Sequence, residues 1–392
     1  MTARASRPRA HLGLVLSVGR AYPREIFRGV AEYIRRHEPP WEERHHGIRT
    51  STWEEVAASK PDALIAHFYE EREVRLIQRL RIAAVNVSNH LPSLGEHRVV
   101  SDDHAVGRLA ADYFAGRGFR RFAVAASSPA QYATEREAGF RERLAQIGAD
   151  LDHPEEGVEP QGREPRGGVA WLASLRRPCA LFAVTDRMAA SIISELISLG
   201  IGVPDEIAVL GVDDDEVAGA MSPIPLSSIR LRGGEVGYEA ARMADALMGR
   251  GTPPPLEVRI PPAGVASRRS TDGLGVNDPA LALALKVLIE RAFTPIDVPD
   301  IAREAGMSRR ILERRFREQL GRSPYEEILR RRMERARQLL GTSDWPVGRI
   351  AEACGFTEAK TFTTLFTRRE GVCPRDFRRR ERGADRAAWF GP

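Results

Sequence analysis

Short apolar runs alternate with amphipathic stretches from His11 to about Arg259. The clearest runs are Leu12 to Val18, Ala63 to Ala66, Ile82 to Val87, Phe122 to Ala126, Ala180 to Val184 and Ile207 to Val212. Each is too short for a core helix and is bounded by Gly, Pro, Asp or Ser, which predicts strands. Between them Arg24 to Arg36, His104 to Arg117, Glu135 to Ile147 and Arg187 to Leu199 carry apolar residues at helical spacing. Strand and helix in turn predict βαβ units and parallel sheet. Roughly 250 residues is long for one doubly wound sheet, so two lobes flanking a cleft are expected, with ligands at the carboxyl ends of the strands.

Residues 249–279 are rich in Gly and Pro and close on a polar stretch, Ser270 to Asp278. A linker fits them, as do the last strands followed by a linker. Beyond Pro279 strand signals stop and the chain becomes helical and rich in Arg. The expected organisation is a two-lobed α/β domain over 10–270, a linker over 271–284 and an all-α domain over 285–382.

Inside the all-α domain a pair of segments about 49 residues apart resemble each other: Ile301, Ala302, Ala305, Gly306, Met307 and Ile350, Ala351, Cys354, Gly355, Phe356. Each sets a small residue in a helix, Gly four residues later and then an apolar anchor, Leu312 or Phe362. This is the spacing of a helix-turn-helix: Ala lets two helices approach, Gly takes the turn, and the anchor packs the second helix on the first. One such pair alone reads equally as a generic helix hairpin; two in register do not. Ser308 can cap its second helix, and Asp297 and Asp300 sit at the start of the first. Between the copies, Ile328, Met333, Ala336 and Leu340 mark a helix from Pro324 to Leu340, about 25 Å long at 1.5 Å per residue. It would space two recognition helices for successive major-groove segments about 34 Å apart.

Charge sharpens this division. The chain of 392 residues carries a net +5, but residues 280–392 hold 24 basic and 16 acidic side chains, leaving the remainder slightly acidic. A basic module joined to a near-neutral one fits a polyanion-binding domain beside a domain with another task, although a basic surface alone is also what a solvated face looks like. Arg4, Arg7 and Arg9 precede the run from Leu12, but Arg20 ends it far short of a membrane span and no small-residue cleavage site follows. Cys179, Cys354 and Cys373 form no CxxC pair, which suits buried thiols in the cytoplasm.

The segment IAREAGMSRRILERRFREQLGRSPYEEI, then RARQLL, then IAEACGFTEAKTFTTLFTRREGVCPRDFR resembles the AraC/XylS family of DNA-binding domains from about Lys286 to Arg380. The resemblance implies a double-stranded DNA operator as partner, read by Arg309, Arg310, Glu313 and Arg314 on the first recognition helix. Arg fits guanine edges and Glu accepts from cytosine. Ala359, Lys360, Thr363 and Thr364 correspond in the second copy. That family commonly has Arg where Thr364 stands, which implies weaker, phosphate-dominated contact there.

Upstream, residues 99–124 (VVSDDHAVGRLAADYFAGRGFRRFAV), 133–144 (ATEREAGFRERL) and 178–230 (PCALFAVTDRMA through GIGVPDEIAVLGVDDDEVAGAMSPIPLSSIR) resemble the sugar-binding fold of LacI-type repressors and periplasmic binding proteins. A LacI-type sensor ahead of an AraC-type reader is similar to the regulators of xylose operons, as are the AYxR around Tyr22 and the RRSTD of residues 268–272. The resemblance implies a sugar effector, xylose or a related pentose, a homodimer and contact with RNA polymerase. Activation follows from the xylose-operon likeness, repression from the LacI-type sensor. The implied ligand-binding residues are Tyr22, His67, Tyr69, Arg136, Asp186, Asp213 and Asp214. Asp and Arg at strand ends also serve as helix caps and structural ion pairs. After the strand ALIA those regulators carry acidic residues flanking a Phe; here His67 and Tyr69 flank Phe68, which puts xylose itself in question.

No cofactor or metal is expected: His45 and His46 are adjacent, and His97 and His104 lack a third ligand nearby in sequence. Asp102, Asp103, Asp213, Asp214 and Asp215 offer carboxylates for acid and base work, but no nucleophile elbow, phosphate-binding glycine loop or HExxH accompanies them. A regulator, and not an enzyme, is the reading.

Overall fold

The computed structural model describes residues 10–379 apart from 18, 40, 47–52, 127, 152–167, 251–253 and 277. Arg4, Arg7, Arg9 and the expected domain end at 380–382 lie outside the described residues. The chain forms two compact units, one of residues 1–113 and 120–273, the other of 114–119 and 274–392.

The first unit opens with β1 (Ala10–Val15), α1 (Ala21–His37), β2 (Trp41–His46), α2 (Trp53–Ala58), β3 (Ala63–Ala66), α3 (Glu71–Arg79), β4 (Ala83–Asn86) and β5 (His97–Ser101). It continues through α4 (Asp103–Ala115), β6 (Arg121–Ala125), α5 (Gln131–Gln146), β7 (Asp150–Leu151), α6 (Gly168–Ser174), β8 (Cys179–Ala183) and α7 (Asp186–Ser198). Then follow β9 (Ile207–Val212), α8 (Glu216–Met221), β10 (Ser227–Arg230), α9 (Gly233–Asp245), β11 (Glu257–Ile260) and β12 (Gly264–Ala266). Two six-stranded sheets result, ordered β11-β5-β4-β3-β1-β2 and β12-β10-β9-β8-β6-β7.

The first sheet is parallel throughout; in the second, β12 pairs antiparallel with β10. Both faces of these sheets are covered, which is why ALIA in β3, CALFA in β8 and IAVLGV in β9 are buried at every position instead of alternating. Leu12, Leu14, Ile26, Val30, Ile65, Val85 and Val99 centre one core, and Leu181, Ile192, Ile193, Leu196, Val209 and Leu226 another. The Gly- and Pro-rich stretch after residue 249 supplies β11 to the first sheet and β12 to the second, so it holds the last strands.

The second unit contains α10 (Pro279–Arg291), α11 (Val298–Glu304), α12 (Arg309–Leu320), α13 (Pro324–Thr342), α14 (Val347–Ala353) and α15 (Ala359–Glu370). Residues 279–284, within the stretch expected as linker, are the first turns of α10, with Asp278 capping Ala280 and Leu281. Two cores form along α13: Ile328 packs with Leu285, Leu288, Ile301, Leu312 and Phe316, while Met333, Ala336 and Leu340 pack with Ile350, Phe362 and Phe366.

The segment Phe114–Phe119 closes the first of these cores. Arg322 donates to the Ala115 carbonyl at 3.0 Å and Arg331 to the Gly116 carbonyl. Gly118, at φ +85°, sits so close that a Cβ there would meet Leu320, Val276 and Leu285 at 3.0–3.2 Å.

Candidate effector cleft and nucleic-acid interface

The carboxyl ends of the strands in the first unit gather a polar network around Arg136. Helices α4 and α5 touch backbone to backbone, since a Cβ on Gly107 would lie 2.0 Å from the Arg136 carbonyl and one on Gly139 2.0 Å from that of His104. That approach brings Arg136, on α5, to Asp103, the first residue of α4: Nε donates to Oδ1 at 2.7 Å with both side chains buried. A second nitrogen donates to the Val184 carbonyl at 2.6 Å and stands 3.9 Å from Asp213 Oδ1, and the guanidinium lies 5.0 Å from the Tyr132 ring centroid. Asn89 donates to Asp103 and Glu135 and accepts from Arg98, so the buried Asp103 carboxylate is held by both Arg136 and Asn89.

Asp213 and Asp214 follow β9 with φ of 112° and 51°, a left-handed backbone uncommon for non-glycine residues and frequent at sites. Burial pushes Asp213 up to about 6, aided by Asp103 and Asp215 and opposed by Arg136. Asp214 is held by Arg268 at 2.8 Å, within the RRSTD segment. Tyr22, just inside α1, accepts from Ser101 Oγ at 2.9 Å, and burial holds its phenol protonated. Asp186 is fully committed: Oδ1 accepts from Ser228 Oγ at 2.6 Å and Oδ2 from the Asp215 amide at 2.8 Å. Burial pushes its carboxyl up to about 8.

His67 and Tyr69 stand beyond the end of β3, with ring centroids 6.2 Å apart; His90 and Tyr132 extend the aromatic series at 5.3 and 6.4 Å steps. Of the candidates, Arg136 and Asp213 share one network, Tyr22 lies in its field, His67 and Tyr69 form the aromatic side, and Asp186 and Asp214 hold the loops. Asn89, Glu135, His90 and Tyr132 escaped sequence reading: Asn89 lies 46 residues from Glu135, and only the fold pairs them. Among the described residues no group of three His, Cys, Asp or Glu side chains could hold a metal.

In the second unit each motif is built as its spacing predicts. Ala302 and Ala351 are buried at the helix crossings, Gly306 and Gly355 take φ of +65° and +80°, and Leu312 and Phe362 are fully enclosed. Asp297 and Ser308 cap α11 and α12 through the Asp300 and Ile311 amides. On α12, Arg309, Arg310 and Arg314 are exposed; Arg309 donates to Glu313 at 2.7 Å, Arg314 lies 3.8 Å from Glu318, and Arg310 has no partner among the described residues. On α15 Ala359, Lys360 and Thr364 are exposed, and Thr363 and Thr364 donate to the Ala359 and Lys360 carbonyls.

Much of the Arg content of α13 is spent inside the unit. Glu327 is wholly buried and receives Arg322, Arg330 and Arg331 at 2.6–2.9 Å, which hold its carboxyl down at about 2 against the cost of burial. Arg332 donates to the Ala292 and Thr294 carbonyls and Arg335 lies over Phe293.

Residues 111–271 match the periplasmic binding protein-like domain family and residues 301–380 a helix-turn-helix domain family. The xylose operon regulatory protein of Escherichia coli K12 is 28% identical over 386 residues, covering 94% of this chain and 97% of its own length. That of Haemophilus influenzae is 26% identical over the same span. The solved structure of a xylose-binding transcription activator superposes with a TM-score of 0.58 at 27% identity, covering 94% of this chain and 97% of that one. Among the described residues no helix is long and apolar enough to cross a membrane.

Proposed function

We propose, for a DNA-binding transcription regulator that sets a periplasmic binding protein-like domain ahead of a helix-turn-helix pair, that a free sugar of pentose size in the cleft controls operator binding. The carrying observation is the convergence of Arg136 from α5 and Asp213 from the end of β9 on one polar network, with Tyr22 at the start of α1 in its field, beside an aromatic wall. Bidentate planar donors and acceptors match vicinal hydroxyls, and an aromatic face matches the apolar side of a sugar ring. Xylose-operon relatives along the whole chain support the pentose class and activation as the sign of control. On this reading the chain works in the cytoplasm as a homodimer on double-stranded DNA, in contact with RNA polymerase, with Arg309, Arg310, Glu313 and Arg314 as main readers and Lys360, Thr363 and Thr364 as auxiliary ones. The effector regulates by binding one conformation more tightly than the other.

A thermal-shift screen against pentoses, hexoses and sugar phosphates, with Asp213→Ala beside the parent chain, tests the reading. A pentose that raises Tm for the parent and not for the variant supports it. No shift with any sugar overturns it.

A further inference from the structure

Helix α5 runs from β6 to β7 and so belongs with the second sheet, yet its amino end is completed by the first. The first N–H groups of a helix have no partner within it, and Ala130, at the N-cap, offers no side chain to take them. The Gln131 amide instead donates to the His90 carbonyl at 2.9 Å and the Tyr132 amide to the Asn89 carbonyl at 2.7 Å. Asn89 and His90 follow β4, a strand of the first sheet. Withdrawing that segment would strip both amides of their acceptors.

Side chains close the same seam. Arg259, on β11 of the first sheet, donates from its two Nη atoms to the two Glu135 oxygens at 2.7 and 3.2 Å, while its Nε donates to Glu257 on its own strand. Asn89 Nδ2 reaches Glu135 at 3.0 Å, and Asn89 Oδ1 accepts from Arg98 of β5 at 2.7 Å. A two-pronged guanidinium–carboxylate pair fixes orientation as well as distance, the geometry in which an ion pair counts even near the surface. Arg136, the next residue on α5, donates to Asp103 and stands 3.9 Å from Asp213. One helical turn therefore grips the first sheet through Glu135 and the effector network through Arg136.

We propose that Asn89, Glu135 and Arg259 form a clasp that holds the first sheet's lobe to the start of α5 and thereby positions Arg136 for the effector. All three are positioning residues, acting through the set of α5 and not on the ligand. The role of Arg136 rests on the sugar reading of the cleft, which this deepens; the clasp itself stands on bonds within the protein. Apparent affinity scales with the fraction of molecules already in the binding-competent form. A loosened clasp lowers that fraction, so it weakens every effector by one common factor and leaves preference among sugars unchanged. Loss of a direct ligand contact alters that preference.

The first test needs no ligand: hydrogen exchange in the full chain, the parent beside Arg259→Leu, Arg259→Lys and Glu135→Gln. The Gln131 and Tyr132 amides should exchange about tenfold faster or more in Arg259→Leu and Glu135→Gln, while amides further along α5, such as Phe140 and Leu144, keep the parent rate. Arg259→Lys, which retains the charge but not the fork, should fall between. Parent-like exchange at Gln131 and Tyr132 overturns the clasp. Acceleration along the whole helix in both variants overturns it too, since that marks a pair that merely stabilises the fold. Calorimetric titration with D-xylose, L-arabinose and D-ribose then tests the positioning. Arg259→Leu and Glu135→Gln should bind roughly threefold more weakly or worse, by the same factor for each sugar the parent binds. Unchanged affinity, or a factor that differs between sugars, overturns the positioning role. If the parent binds none of them the sugar reading falls, and the exchange rates still decide the clasp.

Discussion

The two helix-turn-helix copies share a scaffold and differ in nearly everything the scaffold displays. Both bury Ala at the crossing, turn on Gly and anchor the second helix through aligned positions, Leu312 and Phe316 in one copy, Phe362 and Phe366 in the other. The first copy packs mainly aliphatic residues with α10; the second is aromatic, Phe356, Phe362, Phe366 and Phe377 following one another at centroid distances of 5.2–5.5 Å. Side chains cap both helices of the first copy, whereas Pro346 and Glu358 make no side-chain cap in the second. At the aligned reading positions the first sets Arg309, Arg310, Glu313 and Arg314, the second Ala359, Lys360, Thr363 and Thr364, whose hydroxyls bond back to their own helix. Duplication keeps geometry because packing is unforgiving, while the solvent face is free to specialise.

If the scaffolds are equivalent, Phe316→Ala and Phe366→Ala should each cost about 3–5 kcal/mol in denaturant unfolding; a loss confined to one would mean the second copy is not an equal member of the fold. Next in size, Glu327→Gln should cost about 3–5 kcal/mol by leaving three Arg side chains around a neutral group. The carboxyl is lowered on folding from 4.5 to about 2, so its stabilisation is complete above the unfolded value and fades as pH falls toward 2. An acid unfolding curve in which parent and variant converge below pH 2 checks that sign. Arg314→Ala should weaken binding to DNA selected from a random pool by about 1–3 kcal/mol, whereas Thr364→Ala should change it by under about 0.5 kcal/mol. Equal effects would erase the asymmetry between the reading faces. Smallest of all, Ser308→Ala should cost roughly 1 kcal/mol of stability, and Glu358→Ala close to nothing; calorimetric Tm values separate them.

What could be read from the chain follows the same divide. Periodicity and Gly placement located most of the parallel strands and both motifs, because burial on both faces and positive φ leave local marks. β2, with two Glu, one Arg and two His, carried no apolar run and was invisible, and β12 broke the parallel rule. In the cleft the candidates came by resemblance, while the network that fixes them did not, since Arg136 to Asp103 and Ser228 to Asp186 span 33 and 42 residues. The Arg residues of α13 belong to the basic excess of residues 280–392, yet several are internal donors to Glu327 and to backbone carbonyls.

The membership of Phe114–Phe119 in the second unit bears on how such proteins can be assembled and cut apart. A clone begun at Leu274 would omit a stretch that its own hydrophobic centre requires, leaving Leu320, Val276 and Leu285 uncovered beside Gly118 and two guanidinium groups without their carbonyls. The reader half is thus discontinuous in the gene. A recombination event that grafted it onto a foreign sensor would need an equivalent peptide from its new host, which restricts the sensors with which it can be paired.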